Sequence, residues 1–336
     1  VFVWGMLAEI AVGQDSGKGA GNRTEKTGGA ESIGDRTVVA QVNDQPIHKG
    51  EVDQALAALL KAQNVSPSSD PKPEHQAAVL DMLIGQRLYV DYIARNDDLK
   101  ASEEEVKKIV DDLGRQLREK RRIGFEQYVR DLGLTVPAFK SQIALDISRQ
   151  KLMQKYETPE RVEAYFKRHA KHFDGTQLRV SHILLRPKGN GNENETRELQ
   201  AKAKEIKVAI EGGKLTFAEA AKQYSAGPSR QEGGDLGLIG RAGPMVEEFN
   251  KAAFDLEQGK ISDPVVSTFG IHLITVTDVK PGDKSLELVR DQVMPAFSQW
   301  LMEQLVANEK KTAKIEYNES FPHFKPGTRE LSSAEK

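Results

Sequence analysis

Apolar residues recur at helical spacing on both sides of a central stretch whose spacing is that of strands. TVVAQVNDQPI alternates and carries an Asn-Asp turn signal, which predicts a strand, a turn and a short second strand. KGEVDQALAALLKAQ follows as a helix, and EHQAAVLDMLIGQRLYVDYIARN is apolar on most sides, as a central core helix is. Ser102 and Glu105 have capping-box spacing and open a helix with Val106, Ile109, Val110, Leu113 and Leu117 on one face. FEQYVRDLGL and TVPAFKSQIALDISRQKLMQKY continue the helical series. Thr158-Pro159-Glu160 starts another helix, RVEAYFKRHAKHF, with a cap oxygen, a proline in the first turn and an acid at the positive dipole end.

Near Gly175 the texture changes. QLRVSHILLRP reads as a strand, and the polar loop GNGNENE leads into a helix with Leu199, Ala203, Ile206 and Ile210 facing inward. Thr216 and Glu219 form a second capping-box pair before TFAEAAKQYS, and DPVVSTFGIHLITVTDV predicts two strands joined at Thr268 to Gly270. Beyond Pro281-Gly282 helical spacing returns, with Leu286, Val289, Val293, Phe297, Trp300 and Leu305 on one stripe and a kink expected at Pro295. AKIEY is a short strand, expected to pair with VVAQV. The pattern predicts an α+β protein in which a unit over 173–282 is inserted in a mainly helical domain, 36–172, completed by 283–317. Residues 1–35 read as a signal-like segment with a flexible linker, and 318–336 as a tail.

Composition bounds the function. The 336 residues have room for two domains, and the formal net charge of -2 gives no basic excess for nucleic acid. With no cysteine, neither a disulfide framework nor a thiolate zinc site is available. VFVWGMLAEIAVGQD ends its apolar run in Ala11-Val12-Gly13, as a secretory signal would, although Glu9 interrupts it and no basic stretch precedes it. The run is too short for a membrane span. An extracytoplasmic, for example periplasmic, location is expected; a cytoplasmic one is the alternative.

GGDLGLIGRAGPMVEEF, Gly233 to Phe249, repeats glycine at every third position but fits no phosphate loop. A dinucleotide fingerprint needs Gly-x-Gly-x-x-Gly between strand and helix. Collagen needs its triplet over a long, proline-rich span. Tight turns beside a short strand are the simpler reading. His169 and His172 lie one turn apart on the expected helix and read as a surface pair with no third ligand, so no metal is expected. No nucleophile elbow is present. What stands out is a histidine in each of two apolar strands, His182 in VSHILL and His272 in FGIHLI. If those strands are neighbours, the rings can meet and hold each other in defined tautomers.

VSHILL, GGDLG, the helix start MVEEF and FGIHLI, in this order, resemble the parvulin-type (PpiC-like) peptidyl-prolyl cis-trans isomerase domain over about residues 177–279. The flanking helical segments, beginning VVAQVNDQPIHKGEVDQAL, resemble the amino-terminal chaperone domain of the envelope foldases SurA, PrsA and PpiD. The resemblance implies a four-stranded antiparallel sheet wrapped by helices, no cofactor and no metal. It places His182 and His272 as the paired active-site histidines and Ser267 where the family usually has a threonine. Leu236, Met245 and Phe249 would take the substrate proline ring, with Phe269 also binding substrate, and Gly234 and Gly237 would be turn and close-approach glycines. Gly227 departs from the pattern, standing where the family commonly has cysteine or aspartate; Ser225 and Ser229 are the nearby candidates to compensate. Arg186 and Lys188 are followed by carboxylates, which argues against phosphate-directed specificity. The implied partners are unfolded, exported polypeptides containing X-Pro bonds. The implied function is isomerase and foldase; the alternative is a catalytically weak parvulin-like chaperone that binds proline-containing segments.

Overall fold

The structure, a computed structural model, describes residues 35–62, 72–188, 193–328 and 330–332. The expectations for the amino-terminal segment and for residues 189–192 of the polar loop lie outside the described residues. The chain divides into two units. One runs to Tyr156 and resumes at Trp300; the other is the continuous stretch Glu157–Gln299. The sequence pattern put these boundaries at 173 and 282. The difference consists of the helical residues before and after the inserted sheet, which pack together within the second unit.

The first unit begins with β1 (Val38–Val42) and β2 (Gln45–His48), followed by α1 (Lys49–Ala62) and α2 (Pro73–Arg95). Then come α3 (Glu103–Arg121), α4 (Phe125–Asp131) and α5 (Val136–Tyr156). After the second unit the chain supplies the end of α10 (Leu286–Lys310) and then β7 (Ile315–Tyr317). β1 is central in a sheet of order β2-β1-β7, and Ala40, Gln41 and Val42 pair antiparallel with Tyr317, Glu316 and Ile315. This is the pairing expected between VVAQV and AKIEY. α2 supplies Leu80, Ile84 and Leu88 to the core beneath this sheet, and Gly85 admits Val306 of α10 against the helix.

At α3 the Ser102 hydroxyl accepts from the Glu105 amide at 3.2 Å, and the Glu105 carboxylate accepts from the Ser102 amide at 2.7 Å. This satisfies two donors that a helix start otherwise leaves bare. Ser102→Ala is expected to cost about 1 kcal/mol, read as a loss of amide-exchange protection confined to α3 and its neighbours. The described residues between Asn318 and Ser332 are not a loose tail: Phe321 joins the core, buried His323 stacks on Tyr317, and Phe324 bridges to Leu331. The sequence shows no periodicity there because a short hairpin anchored by one aromatic needs none.

In the second unit α6 (Pro159–Arg168) is capped by Thr158, whose hydroxyl accepts from the Arg161 amide. Tyr165 packs edge-on against Phe297 of α10, which runs uninterrupted through Pro295. The α6 helix stops at Arg168, so His169 caps its end and His172 closes the 3-10 turn Ala170–His172 that follows, off the helix. They are not a surface pair. His172 is paired through Nε2 with Asp255 at 3.1 Å, and both rings are partly buried.

The sheet of this unit contains β3 (Gln177–Leu185), β4 (Asp235–Gly240), β5 (Val265–Ser267) and β6 (Gly270–Lys280), antiparallel in the order β4-β3-β6-β5. Both central strands are buried along most of their length, which explains their near-continuous apolar character. α7 (Glu193–Glu211) and α8 (Phe217–Tyr224) cover the face that carries Ile183, Leu185, Ile271 and Leu273. α9 (Glu247–Asp255) covers the opposite face through Phe249, Ala253 and Phe254.

Candidate active site

Register brings the two strand histidines together. His182 lies opposite Ile274, and Leu184 lies opposite His272, so the histidines are diagonal neighbours on one face of the β3–β6 pair. Their Nδ1 atoms are 3.3 Å apart and the rings are tilted by 25°. Both are almost fully buried, at 6% and 4% exposure. Burial pushes both imidazoles below the ordinary histidine range. For His272 the neighbouring ring and Arg186 add to this and bring the pKa to about 4. At neutral pH the pair is therefore uncharged.

The Ser267 hydroxyl, at the end of β5, lies 2.7 Å from His272 Nε2 and 3.4 Å from the Gly270 carbonyl. It also accepts from the Phe269 amide at 3.0 Å. The turn closes tightly because Gly270 has φ +131°, and a Cβ there would sit 2.3 Å from the Leu185 carbonyl oxygen. Gly234 plays the matching part on the other edge. At φ +86° its hydrogen faces the His182 carbonyl oxygen, which a Cβ would approach to 2.3 Å, and its carbonyl accepts from the His182 amide at 2.9 Å. This is the close approach expected in the glycine-rich stretch; Gly237, expected at a turn, lies inside β4 with φ +70°, and nothing approaches it within 4 Å.

The apolar residues expected around the histidines divide into two sets. Phe249 is 1% exposed and meets both imidazoles edge-on, with centroids 5.7 and 5.4 Å away. It is a core side chain beneath the pair, not an open wall, because α9 docks it directly on the sheet. Leu236 and Met245 are partly buried and pack on the same cluster, so they retain surface that a ligand can touch. Phe269 is 54% exposed and is tied to the site by its amide, which donates to Ser267 Oγ. Gly227 sits over His182, where a Cβ would lie 3.0 Å from Nε2.

Two contributors lie outside the strand pattern: Ser225, expected only as a candidate to compensate for Gly227, and Asn250, which the sequence did not single out. Ser225 is buried, and its hydroxyl accepts from the amides of Leu184 and Gly227, both at 3.1 Å, which fixes the chain over β3. Asn250 is also buried and donates to the Met245 carbonyl at 2.9 Å, holding the loop that presents Met245. A polar residue beside Phe249 on an otherwise core-facing helix was its one available signal. Among the described residues no group of three or more potential metal ligands occurs, and no helix is long and apolar enough to cross a membrane.

A buried imidazole pair on an antiparallel sheet, closed by a hydroxyl and flanked by apolar side chains, defines a class. Residues 165–280 match the PPIC-type PPIASE domain, the PpiC class of peptidyl-prolyl isomerases, and residues 8–153 match the SurA-like N-terminal domain. Foldase protein PrsA 4 of Bacillus cereus is 31% identical over 224 residues, 63% of this chain and 71% of the relative. Chaperone SurA of Alkalilimnicola ehrlichii is 40% identical over 136 residues, 38% of this chain and 30% of that protein. The crystal structure of the peptidylprolyl isomerase PrsA from Bacillus anthracis is 29% identical and covers 69% of this chain and 96% of its own, with a TM-score of 0.34. The chain belongs to the PrsA foldase family.

Proposed function

We propose that this peptidyl-prolyl isomerase and foldase acts on X–Pro bonds of unfolded, exported polypeptides, outside the cytoplasm, through the cluster around His182 and His272. The observation that carries the reading is the neutral imidazole pair, 3.3 Å apart and roofed by Gly227, beside the partly open Leu236 and Met245 side chains. Rotation about an amide faces a barrier of about 18–20 kcal/mol because resonance stiffens the C–N bond. Lowering it needs no nucleophile, only a site that favours the twisted amide over the planar one. An apolar seat for the pyrrolidine ring, in surroundings poor in water, disfavours the polar planar form. A neutral histidine pair adds directional hydrogen bonding without placing a charge in that seat.

Leu236→Ala and Met245→Ala are each expected to lower kcat/KM by about tenfold or more in a proline-limited refolding assay, the scale of a lost apolar contact of about 1.5–3 kcal/mol. Circular dichroism is the check that each variant is folded before its rate is compared. Folded variants with unchanged rates would place the proline ring elsewhere.

Gly227 supports a second reading, since no side chain at that position faces the substrate. In it the site binds proline-containing segments and catalyses weakly. Suppressed aggregation of a client without faster refolding, in the unmutated chain, decides for it.

A further inference from the structure

The geometry of the imidazole pair selects one of two directions for its protons. Two neutral rings facing Nδ1 to Nδ1 need one N–H and one lone pair between them. In one direction His182 donates to His272, His272 Nε2–H donates to Ser267, and the Ser267 hydroxyl donates to the Gly270 carbonyl. Its remaining lone pair takes the Phe269 amide. Every polar atom is then used except His182 Nε2, which is left with a bare lone pair. In the other direction Ser267 donates to His272, His272 donates to His182, and His182 Nε2 carries a proton.

The surroundings of that nitrogen decide. His182 Nε2 is fully buried and has no hydrogen-bond partner among the described residues. It faces Gly227, and the space where a side chain would begin is flanked by Ser225 Oγ, 3.3 Å from that same point. Ser225 Oγ already accepts two backbone N–H bonds, so both its lone pairs are taken and only its own proton is free to give. A glycine methylene offers a weakly acidic C–H, which suits a lone pair and gives an N–H nothing. A buried donor without an acceptor is the rarer and costlier orphan.

Resting on the reading of this cluster as the isomerase site, we propose that Gly227 is a positioning residue that sets the tautomers: His182 carries its proton on Nδ1 and His272 on Nε2. The proton chain then runs from His182 through His272 and Ser267 to the Gly270 carbonyl. Ser267 spends its hydrogen on the turn that presents Phe269, and none is left to point at a substrate. An acceptor placed at residue 227 reverses the whole chain.

The test is nuclear magnetic resonance of the full chain labelled with 15N-histidine, correlating ring nitrogens with carbon-bound ring protons at pH 7. His272→Gln assigns the two signals. The expected spectrum shows His182 protonated on Nδ1 and His272 on Nε2; the opposite pair of tautomers overturns the proposal. Gly227→Asp supplies an acceptor at a backbone geometry, φ -78° and ψ 159°, that any residue adopts. It is expected to move the protons to His182 Nε2 and His272 Nδ1, whereas Gly227→Ala, which adds no acceptor, keeps the original pattern. An aspartate variant with unchanged tautomers would show that the Ser267 end sets the direction and would overturn the role of Gly227. If Gly227→Asp does not fold, Gly227→Asn supplies an uncharged acceptor at the same place and is held to the same two outcomes. The readout does not depend on turnover, so it fails separately from the refolding assay.

Discussion

Phe249→Ala is expected to lower the stability of the second unit by about 3–5 kcal/mol, the largest effect of any single truncation at the site. The ring is 1% exposed, is packed among Leu178, Val180, Ile274 and Val276, and touches both imidazoles edge-on. Its removal takes away apolar burial, leaves a cavity, and frees both histidine rings to tilt out of contact. Amide exchange of β3 and β6 reads this directly, as a fall in protection of the same free energy. Phe249→Leu should recover most of it, at a residual cost below about 1.5 kcal/mol. A change under about 1 kcal/mol in the alanine variant would mean that the ring lines an adaptable opening and is not core.

The second large effect is a pH dependence. Burial, then the neighbouring His182 ring and Arg186, hold His272 at a pKa of about 4, against about 6.5 for an unfolded histidine. The unfolded chain therefore binds a proton first as pH falls. The stability that this neutral ring contributes is fully present above about pH 6.5 and is lost through pH 4. The shift corresponds to about 3 kcal/mol. Carboxylates titrate in the same window, so the informative quantity is the difference between the native protein and His272→Gln, followed by urea denaturation from pH 7 to pH 4. That difference should move against the native protein by about 3 kcal/mol. A constant difference would place His272 in contact with water.

Much of the site was legible in the sequence because its parts sit on regular elements. Two histidines in apolar strands raised the possibility of a meeting if the strands were neighbours, and the register puts both on one face. The capping pairs at Ser102 and Thr216 were readable because their chemistry is local. Other features were not readable, for different reasons. Phe249 and Leu236 look alike as apolar residues near a glycine-rich turn, and only the docking of α9 separates core from opening. Ser225 and Asn250 act by hydrogen bonds to backbone far away or around a loop, which no periodicity encodes. His169 and His172 were misplaced because the helix ended earlier than its spacing implied.

The order in which the two units are threaded along the chain bears on biogenesis. Glu157–Gln299 is one uninterrupted stretch, while the other unit waits for α10 and for β7, whose pairing completes the sheet around β1. A polypeptide leaving a ribosome or a translocation pore amino end first therefore delivers the whole isomerase segment before the earlier-made helices have their last strand. The continuous unit can therefore complete its sheet while the first unit still lacks β7.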